Sequence, residues 1–186
     1  MNQFGITEGQ SLIEQAKLNK LVELLHTTDN LSGAVIEVGV YMGGSALLLA
    51  QHTTDRLYLF DTFEGMPNYT EGVDKEWKVG SFKDASYEHI KDMFAVFPNV
   101  SVHKGIFPTQ TGKYVEDETF RFIHLDVDNY QSYQQCLDLL YPKLVEGGII
   151  VFDDYGSPCC PGAKKAVDEF FGADRILFNR TAYIIK

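Results

Sequence analysis

AVIEVGVYMGGS, residues 34–45, changes its hydrophobic pattern halfway along. Val35, Ile36 and Val38 make a short apolar run, Gly39, Gly43 and Gly44 bound it downstream, and SALLLA at 45–50 follows with helical character. A buried strand therefore turns sharply into a helix. Glycines at such a junction let a ligand approach the backbone closely, and the first turn of the helix offers unpaired N–H groups. Glu37 adds a carboxylate near the carboxyl end of the strand.

The spacing departs from the dinucleotide fingerprint G-x-G-x-x-G, because Tyr41 stands at the second glycine position and leaves less room beside a pyrophosphate. A nucleoside cofactor without a pyrophosphate fits better. S-adenosylmethionine (SAM) carries an α-amino group and a sulfonium, which an acidic residue beside the turn attracts. Glycines that merely pack a helix onto a strand would look the same, so the turn alone does not decide between the two readings.

The chain has 186 residues, enough for one well-buried core and short for two ordinary domains. A single domain, 1–186, is expected, with an N-terminal helix within 1–33. Its 45% hydrophobic content is that of a globular protein, and the longest apolar runs, such as GIIVF at 148–152, are far too short to cross a bilayer. Residues 1–10 are largely polar, with no basic start and apolar stretch of a secretory leader, so a cytoplasmic protein with no membrane partner is expected. A formal charge of −10 disfavours nucleic acid, whose binding rests on basic side chains that displace counterions. Three cysteines with no C-x-x-C pair suggest free thiols in a reducing compartment, and the adjacent Cys159 and Cys160 read as residues of a Pro-bounded loop.

Along the chain, TEGQ at 7–10 resembles a capping box ahead of Leu12, Ile13, Ala16, Leu21, Leu24 and Leu25 at helical spacing. RLYLF at 56–60 reads as a second strand ending at Asp61, where a carboxylate could hold two ribose hydroxyls. Residues 62–80 show no period, and Gly65, Pro67, Gly72 and Gly80 sit among Tyr69, Trp77 and many charges. A stretch so long is read as a mobile lid over a site. A helix over 84–97, a strand at 100–103, a strand at 120–125 and a helix over 132–141 follow. A fifth strand at 147–152 ends in Asp153-Asp154, a helix runs from Pro161 through Phe171, and 175–178 and 182–186 form an antiparallel hairpin.

Strands alternating with helices give a mostly parallel α/β sheet, seven-stranded once the hairpin is added, with ligands outside the strands' carboxyl ends. Glu37, Asp61, Asp126, Asp128, Asp153 and Asp154 all stand at such ends. Crowded carboxylates repel unless a proton or a cation intervenes, and oxygen ligands suit Mg²⁺, Ca²⁺ or Mn²⁺. A divalent metal is the economical reading of the set.

The chain resembles the macrocin O-methyltransferase-like family of SAM- and metal-dependent enzymes that act on sugars of macrolide and aminocoumarin antibiotics. The resemblance lies in EVGVYMGGS (37–45), DTFEGMP (61–67), FIHLDVDNYQSY (122–133), LYPKLVEGGIIVFDDYG (140–156) and PGAKKAVDEF (161–170). It implies a Rossmann-like class I methyltransferase fold in which Asp126, Asp153 and Asp154 hold Mg²⁺, Asp128 is the general base, and Glu37, Gly39, Ser45 and Asp61 contact SAM. Tyr41, Gly43, Thr62 and Asp126 complete the candidate cofactor set. Family members typically show an aromatic residue where Ile106 stands, and a longer N-terminal region and lid.

The implied reaction is an in-line transfer of the SAM methyl to a hydroxyl of a small molecule, a sugar or a natural-product diol, by a homodimer. His124, within an apolar strand, reads as a hydrogen-bonded core histidine rather than the base. Two other classes compete. A metal-dependent hydrolase accounts for the aspartates but gives the glycine turn and Asp61 no role, and a non-catalytic SAM-binding module would keep the fold alone.

Overall fold

The computed structural model describes residues 11–186. The expected capping box at 7–10 lies outside them. Strands β1 (Ala34–Val38), β2 (Leu57–Asp61), β3 (Val100–Lys104), β4 (Phe120–Leu125), β5 (Leu144–Phe152), β6 (Leu177–Asn179) and β7 (Thr181–Ile185) form one seven-stranded sheet in the order β3-β2-β1-β4-β5-β7-β6. The first five run parallel, while β7 pairs antiparallel with both β5 and β6. The mostly parallel sheet and its closing hairpin are those the sequence pattern indicates.

Strand order reverses between β1 and β4. From β1 the chain winds outward through β2 and β3, then returns to β4 on the other side, which opens a crevice beyond the carboxyl ends of β1 and β4. The Gly39 turn follows one of these strands and Asp126 follows the other.

Side chains alternate across the sheet. Ala34, Ile36 and Val38 join the cluster under α4 (Tyr130–Leu140) and α5 (Pro161–Phe171), whereas Val35 joins the cluster under α1 (Gln15–Thr27), α2 (Gly44–His52) and α3 (Tyr87–Phe94). β1 and β4 are covered on both faces and buried at every position, so their side chains are mostly apolar, and the exceptions, Glu37, Arg121 and His124, each have a polar partner.

The boundaries of three helices differ from the sequence expectation. Leu12 and Ile13 lie ahead of α1, and Leu12 and Ala16 are exposed, so the buried face begins at Leu18. Helix α4 starts at Tyr130, two residues earlier than its local pattern suggests, because Asp74 Oδ1 accepts from the Tyr130 N–H at 2.9 Å. Helix α3 is shorter than 84–97, and Ser86 caps it by accepting from the His89 N–H at 3.3 Å.

At the opposite end of the sheet from the crevice, Arg121 of β4 is fully buried. Its Nε donates to Asp55 Oδ2 at 2.7 Å, Nη1 to Thr28 Oγ1 at 2.6 Å, and Nη2 to Thr53 Oγ1 at 3.1 Å. Thr28 and Thr53 are the C-caps of α1 and α2, so one guanidinium ties both helix ends to the sheet. Arg121→Ala leaves these acceptors without their donor and opens a void, and should lower unfolding free energy by about 2–4 kcal/mol. Urea denaturation measures it, and a change within 0.5 kcal/mol would contradict the clamp, since about that much is ordinary for surface substitutions.

Candidate active site

A cavity of about 350 Å³ occupies the crevice, lined by the ends of β1, β2, β4 and β5, by the start of α1, and by the segment after β2. Its floor is the turn after β1. Gly39 has φ 92°, and a Cβ there would stand 1.8 Å from the carbonyl oxygen of Asp126, so only glycine lets the ends of β1 and β4 cross this closely. Tyr41 also adopts a left-handed conformation, φ 49°.

Asp61 holds the turn in shape. Its Oδ2 accepts from the N–H groups of Val40 and Tyr41, both at 2.8 Å, and its Oδ1 accepts from the Phe63 N–H at 2.7 Å. A carboxylate offers about four acceptor positions, so roughly one remains on Oδ1. The Thr62 hydroxyl does not take that position, because its single proton goes to the Gly65 carbonyl at 2.7 Å. Asp61, Thr62, Gly39, Tyr41 and Ser45 all reach the cavity wall.

Glu37 and Gly43 do not. Glu37 is fully buried, sits opposite His124 in the β1–β4 register, and brings Oε1 within 2.8 Å of His124 Nδ1. Its Oε2 has no hydrogen-bond partner. The alternation of β1 puts Glu37 on the sheet face covered by α1 to α3, away from the opening. Burial alone would lower the imidazole pKa of His124, but the Glu37 hydrogen bond and charge, with Asp153 and Asp154 nearby, hold it above its ordinary value. Gly43 caps α2 with φ 83°, and its α-carbon faces Ile90, Met93 and Phe94.

The wall beside the turn, at the ends of β4 and β5, is acidic. Asp126, after β4, joins Asp153 and Asp154, after β5, with carboxylate oxygens all within 4.8 Å of one another. Burial first, then the neighbouring carboxylates, push Asp126 and Asp128 well above the usual carboxylate range, and Asp154 rises for the same reasons. An all-oxygen group that is crowded and desolvated is the donor set of a hard divalent cation, so the residues fit Mg²⁺.

Asp128 stands just outside that trio. Its backbone is left-handed, φ 57°, and is fixed by its own N–H donating to Asp154 Oδ2 at 2.9 Å. The Cys160 thiol donates to Asp128 Oδ1 at 3.3 Å, and burial with the adjacent carboxylates keeps that thiol protonated. The Tyr133 hydroxyl lies 2.9 Å from Asp154 Oδ2 and 3.0 Å from the Leu125 carbonyl, supporting Asp154 from behind. From α1, Lys17 Nζ donates to the Asp153 carbonyl at 2.7 Å and approaches Asp153 Oδ2 at 3.2 Å. Lys17 and Cys160 carry no signal of this in the sequence, since each reaches the site from a segment without a motif.

The segment over the cavity, read in sequence as a mobile lid at 62–80, is fastened at several points. Met66 and Gly80 pair through Met66 N–H to the Ser81 carbonyl at 2.8 Å and Gly80 N–H to the Met66 carbonyl at 3.0 Å. Asn129 Nδ2 donates to the Asn68 carbonyl. Asp74 is buried, accepting from Thr70 N–H at 2.6 Å as well as from Tyr130. Gly162 makes room for it, since a Cβ there would lie 2.0 Å from Asp74 Oδ1. On the cavity side Phe82 packs edge-on to Tyr41 and against Trp77, with centroids 5.6 and 4.6 Å apart. Asp74→Ala removes the α4 cap and the main fastening together, and should cost about 1–2 kcal/mol. Limited proteolysis should then cut within 68–80 first, and an unchanged digestion pattern would contradict this role.

Comparison with known proteins accords with this geometry. A sequence model of the Macrocin-O-methyltransferase (TylF) family matches residues 6–179. Demethyldecarbamoylnovobiocin O-methyltransferase of Streptomyces niveus is 29% identical over 157 residues, which are 76% of this chain and 59% of that protein. Mycinamicin III 3''-O-methyltransferase of Micromonospora griseorubida is 26% identical over 183 residues, 88% of this chain and 71% of that protein. The chain thus spans about six tenths to seven tenths of these two relatives. Among solved structures, the calicheamicin methyltransferase CalS11 superposes with a TM-score of 0.81 at 20% identity, covering 91% of this chain and 78% of that one, a likeness of fold. The match runs through the glycine turn, the covering segment and the acidic wall alike, and the chain belongs to the macrocin O-methyltransferase (TylF) family.

Proposed function

We propose that this protein is a SAM-dependent, divalent-metal-dependent O-methyltransferase acting on a hydroxyl of a small molecule, a sugar or natural-product diol. One observation carries the reading: the glycine turn held by Asp61 and the trio Asp126, Asp153 and Asp154 line one and the same cavity. A hydrolase would need the aspartates and leave the turn without a task. The relatives named above act, by their names, on natural-product acceptors, which supports the same acceptor class here.

In this reading the turn at 39–41, Ser45, Thr62 and the remaining acceptor position of Asp61 hold the cofactor. Mg²⁺ or a similar ion, when held by Asp126, Asp153 and Asp154, supplies Lewis-acid charge that lowers the pKa of an acceptor hydroxyl. Asp128 takes the hydroxyl proton. Its backbone is held by its own N–H on Asp154 and its Oδ1 accepts from the Cys160 thiol, which fixes the carboxylate beside the trio as a general base requires. The cover with Trp77 and Phe82 keeps water from the transferring methyl group. Calorimetry with S-adenosylhomocysteine (SAH), with and without EDTA, followed by a screen of sugars and diols with labelled SAM, tests the proposal. Label transfer to none of the acceptors, or transfer unaffected by EDTA, would count against it. The reading extends to a cytoplasmic homodimer, for which sedimentation at the monomer mass across working concentrations is the contrary result.

A further inference from the structure

Among the described residues that line the cavity, Lys17 is the one basic side chain, set against Glu14, Asp61, Asp126, Asp128, Asp153 and Asp154. It does not reach the site by chance of solvent exposure. Its side chain is 27% exposed and that of Asp153 is 14% exposed, and the ammonium is held by two oxygens of the same residue, the carbonyl at 2.7 Å and Oδ2 at 3.2 Å. The ammonium charge also reaches Asp154, where it opposes the upward shift caused by burial and by Asp153.

We propose that Lys17 is the built-in counter-ion of the acidic wall: it neutralises Asp153 when no divalent ion is held, competes with that ion for Asp153 Oδ2, and thereby weakens metal binding. This rests on reading Asp126, Asp153 and Asp154 as the metal ligands. The physical basis is charge count. Four aspartates at the ends of two adjacent strands repel one another, and one ammonium from α1 relieves part of that repulsion in the metal-free protein. The same ammonium repels an incoming cation, so metal occupancy becomes sensitive to the placement of α1.

The test is titration of Mg²⁺ into the full chain by calorimetry at fixed ionic strength, for the unaltered protein, Lys17→Met and Lys17→Arg. Lys17→Met should bind Mg²⁺ at least about tenfold tighter, because a unit charge beside a divalent ion outweighs one factor of ten at an effective dielectric constant near 20. Lys17→Arg should stay within about threefold of the unaltered protein, since the charge remains. Lys17→Gln, polar but uncharged, serves in place of Lys17→Met if that variant does not fold, with the same tightening expected. A purely structural strap between α1 and Asp153 predicts the reverse, with Mg²⁺ affinity equal or weaker once Asp153 loses its support, and that result overturns the inference while leaving the metal site intact. No Mg²⁺ binding by any of the proteins overturns the inference and the metal reading together.

Discussion

Asp128→Asn is expected to slow methyl transfer by about 10²–10⁴-fold while Mg²⁺ and SAM bind nearly as before. The substitution is close to isosteric, and asparagine tolerates the left-handed backbone that Asp128 adopts, so the local fold should persist. The backbone N–H at this position still donates to Asp154, and the amide oxygen still accepts from Cys160. What disappears is the capacity to take a proton. Asp126→Asn acts differently: it removes a member of the carboxylate trio, and should abolish Mg²⁺ binding and activity together while leaving SAM bound. Metal titration beside single-turnover transfer separates the two. If Asp128→Asn loses Mg²⁺ as completely as Asp126→Asn, Asp128 is a ligand, and His124 is too deeply buried beside Glu37 to replace it as base without movement of the strands.

Asp61→Ala should lower SAM and SAH affinity more than tenfold and also destabilise the protein by about 2–4 kcal/mol, because hydrogen bonds to a charged acceptor contribute roughly 1.5–3 kcal/mol each and water recovers part of the loss. Three backbone N–H groups depend on this carboxylate, two of them in the turn that the cofactor is proposed to touch. A residue that only recognised a ribose would show the affinity loss without the stability loss. Thermal unfolding without ligand therefore distinguishes the roles: an unchanged Tm for Asp61→Ala would mean that the turn stands without it.

The sequence was most legible where local pattern and position coincide. The apolar run at 35–38 followed by glycines marks β1 and its turn, and aspartates directly after apolar runs mark the ends of β4 and β5. Asp126, Asp153 and Asp154 come together because β4 and β5 pair as parallel neighbours, and neighbouring is the commonest arrangement for consecutive strands. The pairing of Glu37 with His124 was not legible, since it depends on β1 and β4 being neighbours across the reversal in strand order. Asp61 reads from the sequence as a carboxylate at a strand end, but its grip on the turn depends on N–H groups some twenty residues earlier. Lys17 and Asp153 are 136 positions apart, and Asp74 and Tyr130 are 56 apart, so neither contact leaves a periodic trace in the chain. The family match from residue 6 shows that the resemblance, legible mainly after Gly33, extends through α1 as well.

The central claim is that one cavity holds SAM on the glycine turn and a divalent ion on the aspartates, as separate sites that meet at the acceptor. Calorimetric titration of SAH into the unaltered protein and Asp126→Asn, each with and without Mg²⁺, beside titration of Mg²⁺ into both proteins, tests it most directly. The account predicts SAH binding of similar affinity in all four cases, and a heat of Mg²⁺ binding only in the unaltered protein. Failure of the unaltered protein to bind SAH, or a Mg²⁺ signal that survives Asp126→Asn undiminished, would contradict it.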